Sequence, residues 1–311
     1  MTLAPFVRIV AQGKGRARPL TLDEAREAMG IILSGTAAPE AVGALLMVLR
    51  LRGETAAEIA GFTAALRGHV ANRLPPADLD WPSYAAGRSR GAPLYLLSAR
   101  LVAQAGFRVS VHGWNAYQSA TLSTDDIRSL LGPDVRYDPL DALGPAAFDL
   151  LSLRAVFGLR SCINTVLRMW NPSCAPATVQ GVFHPSYRSL QACAAELLGQ
   201  NTLSIIKGGG GEFECHPSKD VTVFGLREGR HIEHLCPAEM SETRRLHDTD
   251  NPVDAHALWA GDLRDDFAQA TVTSTAALAL WTLDAAPTIA EAQAFARSLW
   301  AKRAVHEGAR A

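Results

Sequence analysis

The stretch Leu49-Arg50-Leu51-Arg52-Gly53-Glu54-Thr55-Ala56-Ala57-Glu58-Ile59-Ala60-Gly61-Phe62 separates two helical patterns with a glycine, and the periodicity on either side of it sets the architecture. Upstream, Pro39 suits a first-turn position, and Val42, Leu45, Leu46 and Leu49 recur at three- and four-residue spacing, so a helix runs from near Pro39 and stops at Gly53. Downstream, Thr55 opens another helix, with Ile59, Phe62 and Leu66 on one stripe. Earlier still, Thr21 followed three residues on by Glu24 forms a capping box, and that helix runs to about Ser34 before Gly35 ends it. The spacing therefore predicts a small helical N-terminal lobe over residues 1–75, and a segment near 161–175 is expected to return to it. Leu74-Pro75-Pro76, with Asp78 and Asp80 beyond, reads as the connection out of it.

Past that connection the character changes. Leu94 to Ala105 is helical and ends at Gly106, and Phe107 to Val111 alternates as a strand does. Helical Thr124 to Leu131, strand-like Val179 to Phe183, helical Ser186 to Leu198 and strand-like Thr202 to Ile206 follow, the last running into Gly208 to Gly211. The C-terminal part returns to helix over Val253 to Gly261, Ala268 to Leu283 and Thr288 to Arg303. Strands alternating with helices predict an α/β lobe over 76–311, with a mostly parallel central sheet flanked by helices.

With 311 residues, 48% apolar and 20% charged, the chain is long enough for one large core or two lobes. Charged or polar residues interrupt every apolar run before it reaches the roughly 20 residues of a membrane helix, and the first residues carry no signal-peptide pattern. The five cysteines, an odd number confined to one half of the chain, do not form a secreted disulfide framework. A cytoplasmic protein is the expectation. The net charge of −1 hides an asymmetry: residues 1–110 hold 13 Lys/Arg against 8 Asp/Glu, and the remainder 17 against 23. A basic lobe on a nearly neutral chain can face phosphates without making the whole strongly attractive to nucleic acid.

Three groups of residues carry candidate chemistry. Lys207 with Gly208 and Gly209 follows a strand, where a phosphate loop sits, although glycines without a Ser/Thr make no Walker-type motif and also suit a plain turn. His231, His234 and Cys236, with Cys215 and His216 upstream, invite a zinc reading; on a strand His234 and Cys236 share a face while His231 points away, which favours ordinary core or surface roles. Lys14, Arg16, Arg18, Arg50 and Arg52, with Arg67, Arg73, Arg88 and Arg90, are either solvated helix faces or a track for a polyanion, with Tyr84, Tyr95 and Trp114 nearby for stacking.

Several segments, in order along nearly the whole chain, resemble the anthranilate phosphoribosyltransferase family. They are Leu33-Ser34-Gly35 through Ala44; Leu49 to Thr55; Glu58 to Phe62; Val111-His112-Gly113 with Ser119 and Leu130-Leu131-Gly132; and Phe157 to Asn164 closing on Asn171-Pro172 and Gly181-Val182. The resemblance implies a homodimer joined through the helical lobe. It also implies a sugar diphosphate, phosphoribosyl pyrophosphate, held between the lobes by glycine-rich and Asn-x-Ser-Thr turns and by Mg2+. In register with the family, His112, Gly113, Ser119, Arg154 and Asn164 would meet substrate, Arg154 and Arg160 falling on its arginine segment; Ser83, Gly87 and Arg88 would meet phosphate; Glu212 and Glu214 would remain for the metal.

The sequence departs from the family at its diphosphate positions. Pro82-Ser83-Tyr84-Ala85-Ala86-Gly87 stands where Gly-Thr-Gly-Gly-Asp belongs, Pro93-Leu94-Tyr95-Leu96 where Asn-x-Ser-Thr belongs, and Phe213-Glu214 where an Asp-Glu pair belongs. Together with the Lys207 to Glu212 run and the basic Gly13 to Arg18 segment, these changes resemble a divergent branch that keeps the fold and the dimer, lacks the anthranilate reaction and includes nucleic-acid-binding proteins. Two functions stay open at this point: a glycosyl- or phosphoribosyltransferase of altered substrate, or a non-catalytic homodimer that binds nucleic acid or another polyanion.

Overall fold

A computed structural model of the chain describes residues 2–13, 15–69, 74–84, 91–114, 123–246 and 253–303. The N-terminal helices are α1 (Ala4–Ala11), α2 (Leu22–Leu33), α3 (Pro39–Arg52) and α4 (Ala56–His69). α2 begins where the sequence signals it: the Thr21 Oγ1 accepts the Glu24 N–H at 3.2 Å, and the Glu24 carboxylate accepts the Thr21 N–H at 2.8 Å. On α3, Val42, Leu45, Leu46 and Leu49 are all buried. α1 is an addition to the sequence reading, its Pro5 occupying a first-turn position that needs no N–H partner.

The junction of α3 and α4 is held by a buried charge. Glu58 is wholly buried, and its carboxylate accepts the N–H groups of Leu20 and Thr55, both at 2.9 Å, and the Arg52 guanidinium at 2.5 Å. Arg52 is therefore spent inside the bundle instead of facing a polyanion. Arg18 is likewise engaged, its guanidinium gripping both oxygens of Glu24 at 2.7 Å. That bond and the cap hold the Glu24 carboxyl down at about 2. Arg67 reaches 103 residues along the chain to donate to the Trp170 carbonyl at 2.8 Å, and to that of Met169 at 2.9 Å.

The remaining elements are β1 (Leu79–Ser83), α5 (Leu94–Gln104), β2 (Val109–Gly113), α6 (Thr124–Leu131), β3 (Val135–Pro139), α7 (Leu140–Leu143), α8 (Pro145–Ser152), α9 (Arg154–Phe157), α10 (Ile163–Arg168), β4 (Ala177–Val182), α11 (Ser186–Leu197), β5 (Thr202–Lys207), β6 (Val221–Arg227), β7 (Arg230–Cys236), α12 (Ala255–Ala260), α13 (Asp266–Thr282) and α14 (Ile289–Lys302). The strands form one sheet in the order β3-β2-β1-β4-β5-β6-β7, parallel through β5 and antiparallel thereafter. One face is covered by α5, α6, α13 and α14, whose Leu97, Leu101, Val272 and Trp300 share a core with Val111 and Val179. The other face, with Leu203, Ile205 and Leu226, is continuous with the N-terminal helices, α10 and α11. Among the described residues no helix is long and apolar enough to cross a membrane.

Three parts of the sheet differ from the sequence reading. β1 contains Pro82, tolerated because the pairing to β4 reaches only Asp80, while β2 continues alongside to Ser83. β3 went unpredicted. β6 and β7 form a hairpin whose two turn residues, Glu228 and Gly229, both have positive φ (50° and 73°), the twist-compatible geometry of a tight two-residue connection. Crossovers run to opposite sides from β1, which places the topological switch point between β1 and β4 and directs attention to the C-terminal ends of those strands.

Replacing Glu58 by Ala leaves the Leu20 and Thr55 N–H groups without their acceptor, and Arg52 without its acid. The expected loss is about 3 kcal/mol of unfolding free energy, read from the urea midpoint at unchanged slope; a loss below about 1 kcal/mol would show the carboxylate to be a surface-like pair.

Candidate functional site

At the switch point a crevice of about 80 Å³ opens between the helical bundle and the sheet. Its charged lining comes from three places in the sequence: Arg50 near the end of α3, Arg160 just before α10, and Arg168 at the end of α10. Asn164 contributes an amide, and His184 and Tyr187 flank it at the start of α11. Arg168 is buried, and its Nη2 donates to the Tyr84 carbonyl at 3.1 Å, which fixes the guanidinium at the end of β1. Arg160 is pushed down to about 10, first by burial and then by the charges of Arg154, Arg168 and Arg50. Burial also lowers Arg168, opposed by Glu212. Glu54 sits at the margin, accepting the Tyr187 hydroxyl at 3.3 Å. Among the described residues Arg160 makes no ion pair with a carboxylate, so an anion arriving from outside would meet an unmatched charge.

Beneath the crevice lies a buried polar chain. The Thr178 hydroxyl donates to Asp80 Oδ2 at 3.1 Å, Asp80 Oδ1 lies 3.2 Å from His112 Nε2, and His112 Nδ1 lies 2.8 Å from the Tyr84 hydroxyl. The Asp80–His112 contact is too poorly aligned to satisfy a hydrogen bond and is a close polar contact. With the Nε2 proton assigned toward the carboxylate, Nδ1 accepts from Tyr84. His112 and Asp80 are wholly buried, so His112 does not line the cleft expected of it. It supports Tyr84, whose carbonyl in turn holds Arg168. Gly113 belongs to the same packing: a Cβ there would collide with the Ser83 carbonyl across the β1–β2 pair.

Near the expected diphosphate and metal positions, the described residues bond to one another. Pro93 gives α5 no side-chain cap. Instead Glu214, from the segment after β5, places Oε2 2.8 Å from the Tyr95 N–H, an anion at the positive end of the helix. The Tyr95 hydroxyl meets Ser83 Oγ at 2.8 Å, which engages the serine expected to bind phosphate. Glu214 is thereby committed as a cap, and Glu212 is buried beside it. Among the described residues no three His, Cys, Asp or Glu side chains gather to hold a metal. His231 pairs with Glu196 at 2.9 Å, His234 stands edge-on to Trp281, and Cys236 lies by Gln293.

The glycine run answers to packing. A Cβ at Gly208 or Gly181 would collide with Glu212, and the N–H groups of Gly208, Gly209 and Gly211 are donated to the carbonyls of Val182, Glu214 and Gly208. Lys207 remains exposed at the end of β5. Of the polyanion candidates, Arg50 joins the crevice, Arg16 is exposed, and Arg18 and Arg52 are in ion pairs. Lys14, Gly87, Arg88 and Ser119 lie outside the described residues. Sequence reasoning missed Arg168, which nothing in its local pattern distinguishes from a solvated helix residue, and Tyr187, whose place at the first turn of α11 was a usable signal.

Residues 6–70 match the family described as "Glycosyl transferase family, helical bundle domain". The anthranilate phosphoribosyltransferase of Rhizobium rhizogenes is 31% identical over 76% of this chain and 74% of its own length. Among solved structures, the anthranilate phosphoribosyltransferase of Thermus thermophilus superposes with a TM-score of 0.71 at 22% identity, covering 91% of this chain and 92% of its own. The Saccharomyces cerevisiae enzyme in complex with PRPP and Mg gives 0.73 at 14% identity, covering 96% and 93%. These superpositions establish the shared fold: a helical N-terminal region and a mostly parallel sheet flanked by helices.

Glu214→Gln keeps the size and the hydrogen bond but removes the negative charge from the start of α5. It is expected to cost about 1 kcal/mol in chemical denaturation without added metal. A gain in stability would mean that Glu214 is a strained, metal-awaiting carboxylate and not a cap.

Proposed function

Because the chain belongs to the anthranilate phosphoribosyltransferase family, we propose that it is a divergent transferase-fold protein that binds a phosphorylated small molecule through the arginines of the switch-point crevice, with the family's diphosphate and magnesium arrangement altered. The observation that carries this reading is that Arg50, Arg160 and Arg168 line one crevice, where burial and the neighbouring arginine charges push Arg160 down to about 10. An incoming oxyanion relieves that crowding, and planar guanidinium groups suit two-point recognition of phosphate or carboxylate. Asn164, expected to meet the substrate, lines the crevice, and the charge of Arg154 acts on Arg160.

In the Saccharomyces cerevisiae relative Mg accompanies PRPP, and here Glu212 and Glu214 are the acids that would hold such an ion. The ion favours one or two carboxylates together with substrate phosphates; in this structure Glu214 is bonded to the Tyr95 N–H and Glu212 is buried. No step of a transfer reaction is assigned through it. The nucleic-acid alternative draws less support, since Arg18 and Arg52, two of the cations it needs, are committed to Glu24 and Glu58. Dimerisation through the helical bundle remains part of the reading: Leu51 on α3 and Val156 on α9 expose large apolar side chains, at 91% and 77%.

Calorimetric titration with phosphoribosyl pyrophosphate, with and without Mg2+, tests this function. Binding is expected in both conditions, weakened at least about tenfold (about 1.4 kcal/mol) in Arg160→Ala. The reading fails if the sugar diphosphate does not bind while single-stranded DNA binds with an affinity that collapses as salt rises.

A further inference from the structure

The sheet ends on two edge strands, and they differ in what they leave open. β3 is five residues long and finishes at Pro139, two features that blunt an edge. β7 runs for seven residues, pairs one for one with β6 from Val221 to Arg227 without a bulge, and holds no proline. Along it Arg230, His231, Glu233, His234 and Leu235 are all exposed, Leu235 at 61%.

The hairpin fixes which main-chain groups of β7 face outward. In a tight two-residue connection the flanking residues, here Arg227 and Arg230, form a hydrogen-bonded pair, and bonded pairs then alternate along the ladder. Arg230, Ile232, His234 and Cys236 therefore turn their N–H and C=O groups toward β6. His231, Glu233 and Leu235 turn theirs to the open side, where among the described residues no main-chain partner lies. The result is an unbulged, exposed row of alternating donors and acceptors, which natural edges usually avoid. The side chains of the same three residues share one face of the sheet. On that face His231 Nε2 meets Glu196 of α11 at 2.9 Å, a bond that leaves Nδ1 uninvolved.

We propose that this edge is a self-association surface, where β7 of a second copy pairs antiparallel about a two-fold axis at Ile232 and the two sheets become one. A two-fold contact must be self-complementary, and the residues select the register. Centred on Ile232, the pairing brings His231 opposite Glu233 of the second copy, and Glu233 opposite its His231, so that each pair exchanges main-chain hydrogen bonds. It also sets Ile232 against Ile232, and Leu235 against Gly229, which has no side chain to obstruct it. With the Nε2 proton assigned toward Glu196, a protonated His231 carries a second proton on Nδ1 for the incoming carboxylate. Moving the axis to Glu233 would place that carboxylate against its own copy, and like charges directly opposite are destabilising. Moving it to His234 would set Glu233 against Leu235 and leave no acid facing a histidine. A foreign strand gains the main-chain bonds without this match, which is why the occupant is a second copy of the chain.

Sedimentation equilibrium of the full chain beside Glu233→Pro, Glu233→Arg and Leu51→Asp tests the edge. The Glu233 N–H faces the open side, so a proline there breaks no bond within the hairpin, and the variant is expected to keep its cooperative thermal unfolding. Wild type is expected to form a species of twice the mass that Glu233→Pro forms, whether or not the helical bundles also pair. Glu233→Arg, which needs no proline to be tolerated, is expected to weaken the same step at least about tenfold. Equal masses for wild type and Glu233→Pro would overturn the proposal, as would an assembly lost only in Leu51→Asp. Hydrogen exchange supplies the register: the His231 and Glu233 amides of wild type should slow as protein concentration rises, and exchange independent of concentration would overturn the proposal too. These variants leave the crevice arginines intact, so the outcome is independent of the small-molecule reading above.

Discussion

The site depends on one steric constraint. The segment after β5 passes so close to the ends of β4 and β5 that neither Gly181 nor Gly208 has room for a Cβ against Glu212. That close approach carries Glu214 to the first turn of α5, where its carboxylate takes the Tyr95 N–H. A helix N-terminus in this position would otherwise attract a phosphate. Here the chain supplies its own anion, and the Tyr95 hydroxyl is tied to Ser83 at the end of β1. The same contact thus engages one of the two acids expected to hold a metal.

Positive charge gathers in the crevice lined by Arg50, Arg160 and Arg168. It collects around Arg160, on the bundle side of the switch point, and the buried array of Thr178, Asp80, His112 and Tyr84 explains why it is ordered there. Each member fixes the next, and the last presents its carbonyl to Arg168. Such an array is costly to leave half-satisfied and rigid when complete. The fold therefore contributes to recognition by holding a guanidinium that would otherwise lose considerable rotamer freedom on binding.

Much of the fold was legible in the sequence because its signals are local. Thr21 with Glu24, Pro39, Gly53 and Thr55 are caps and stops whose chemistry acts within one helical turn, and α2, α3 and α4 lie where these residues place them. β1 was not legible, since Pro82 argues against a strand and only the early end of the β4 pairing makes it tolerable. The β6–β7 hairpin carried a readable signal in Gly229 between two alternating runs. The site was legible only in part. Arg160 and Asn164 came from the resemblance, but the roles of His112, Gly208 and Glu214 depend on contacts between segments up to 119 residues apart, which no local pattern encodes.

Anomalous diffraction from crystals soaked in selenate locates a phosphate-like oxyanion directly and tests whether the crevice or the α5 N-terminus is the anion position at the switch point. The expected result is a selenium peak within hydrogen-bonding reach of Arg160 and Arg168, with Glu214 still bonded to the Tyr95 N–H. A peak at the Tyr95 N–H with Glu214 displaced, and none in the crevice, would contradict the account.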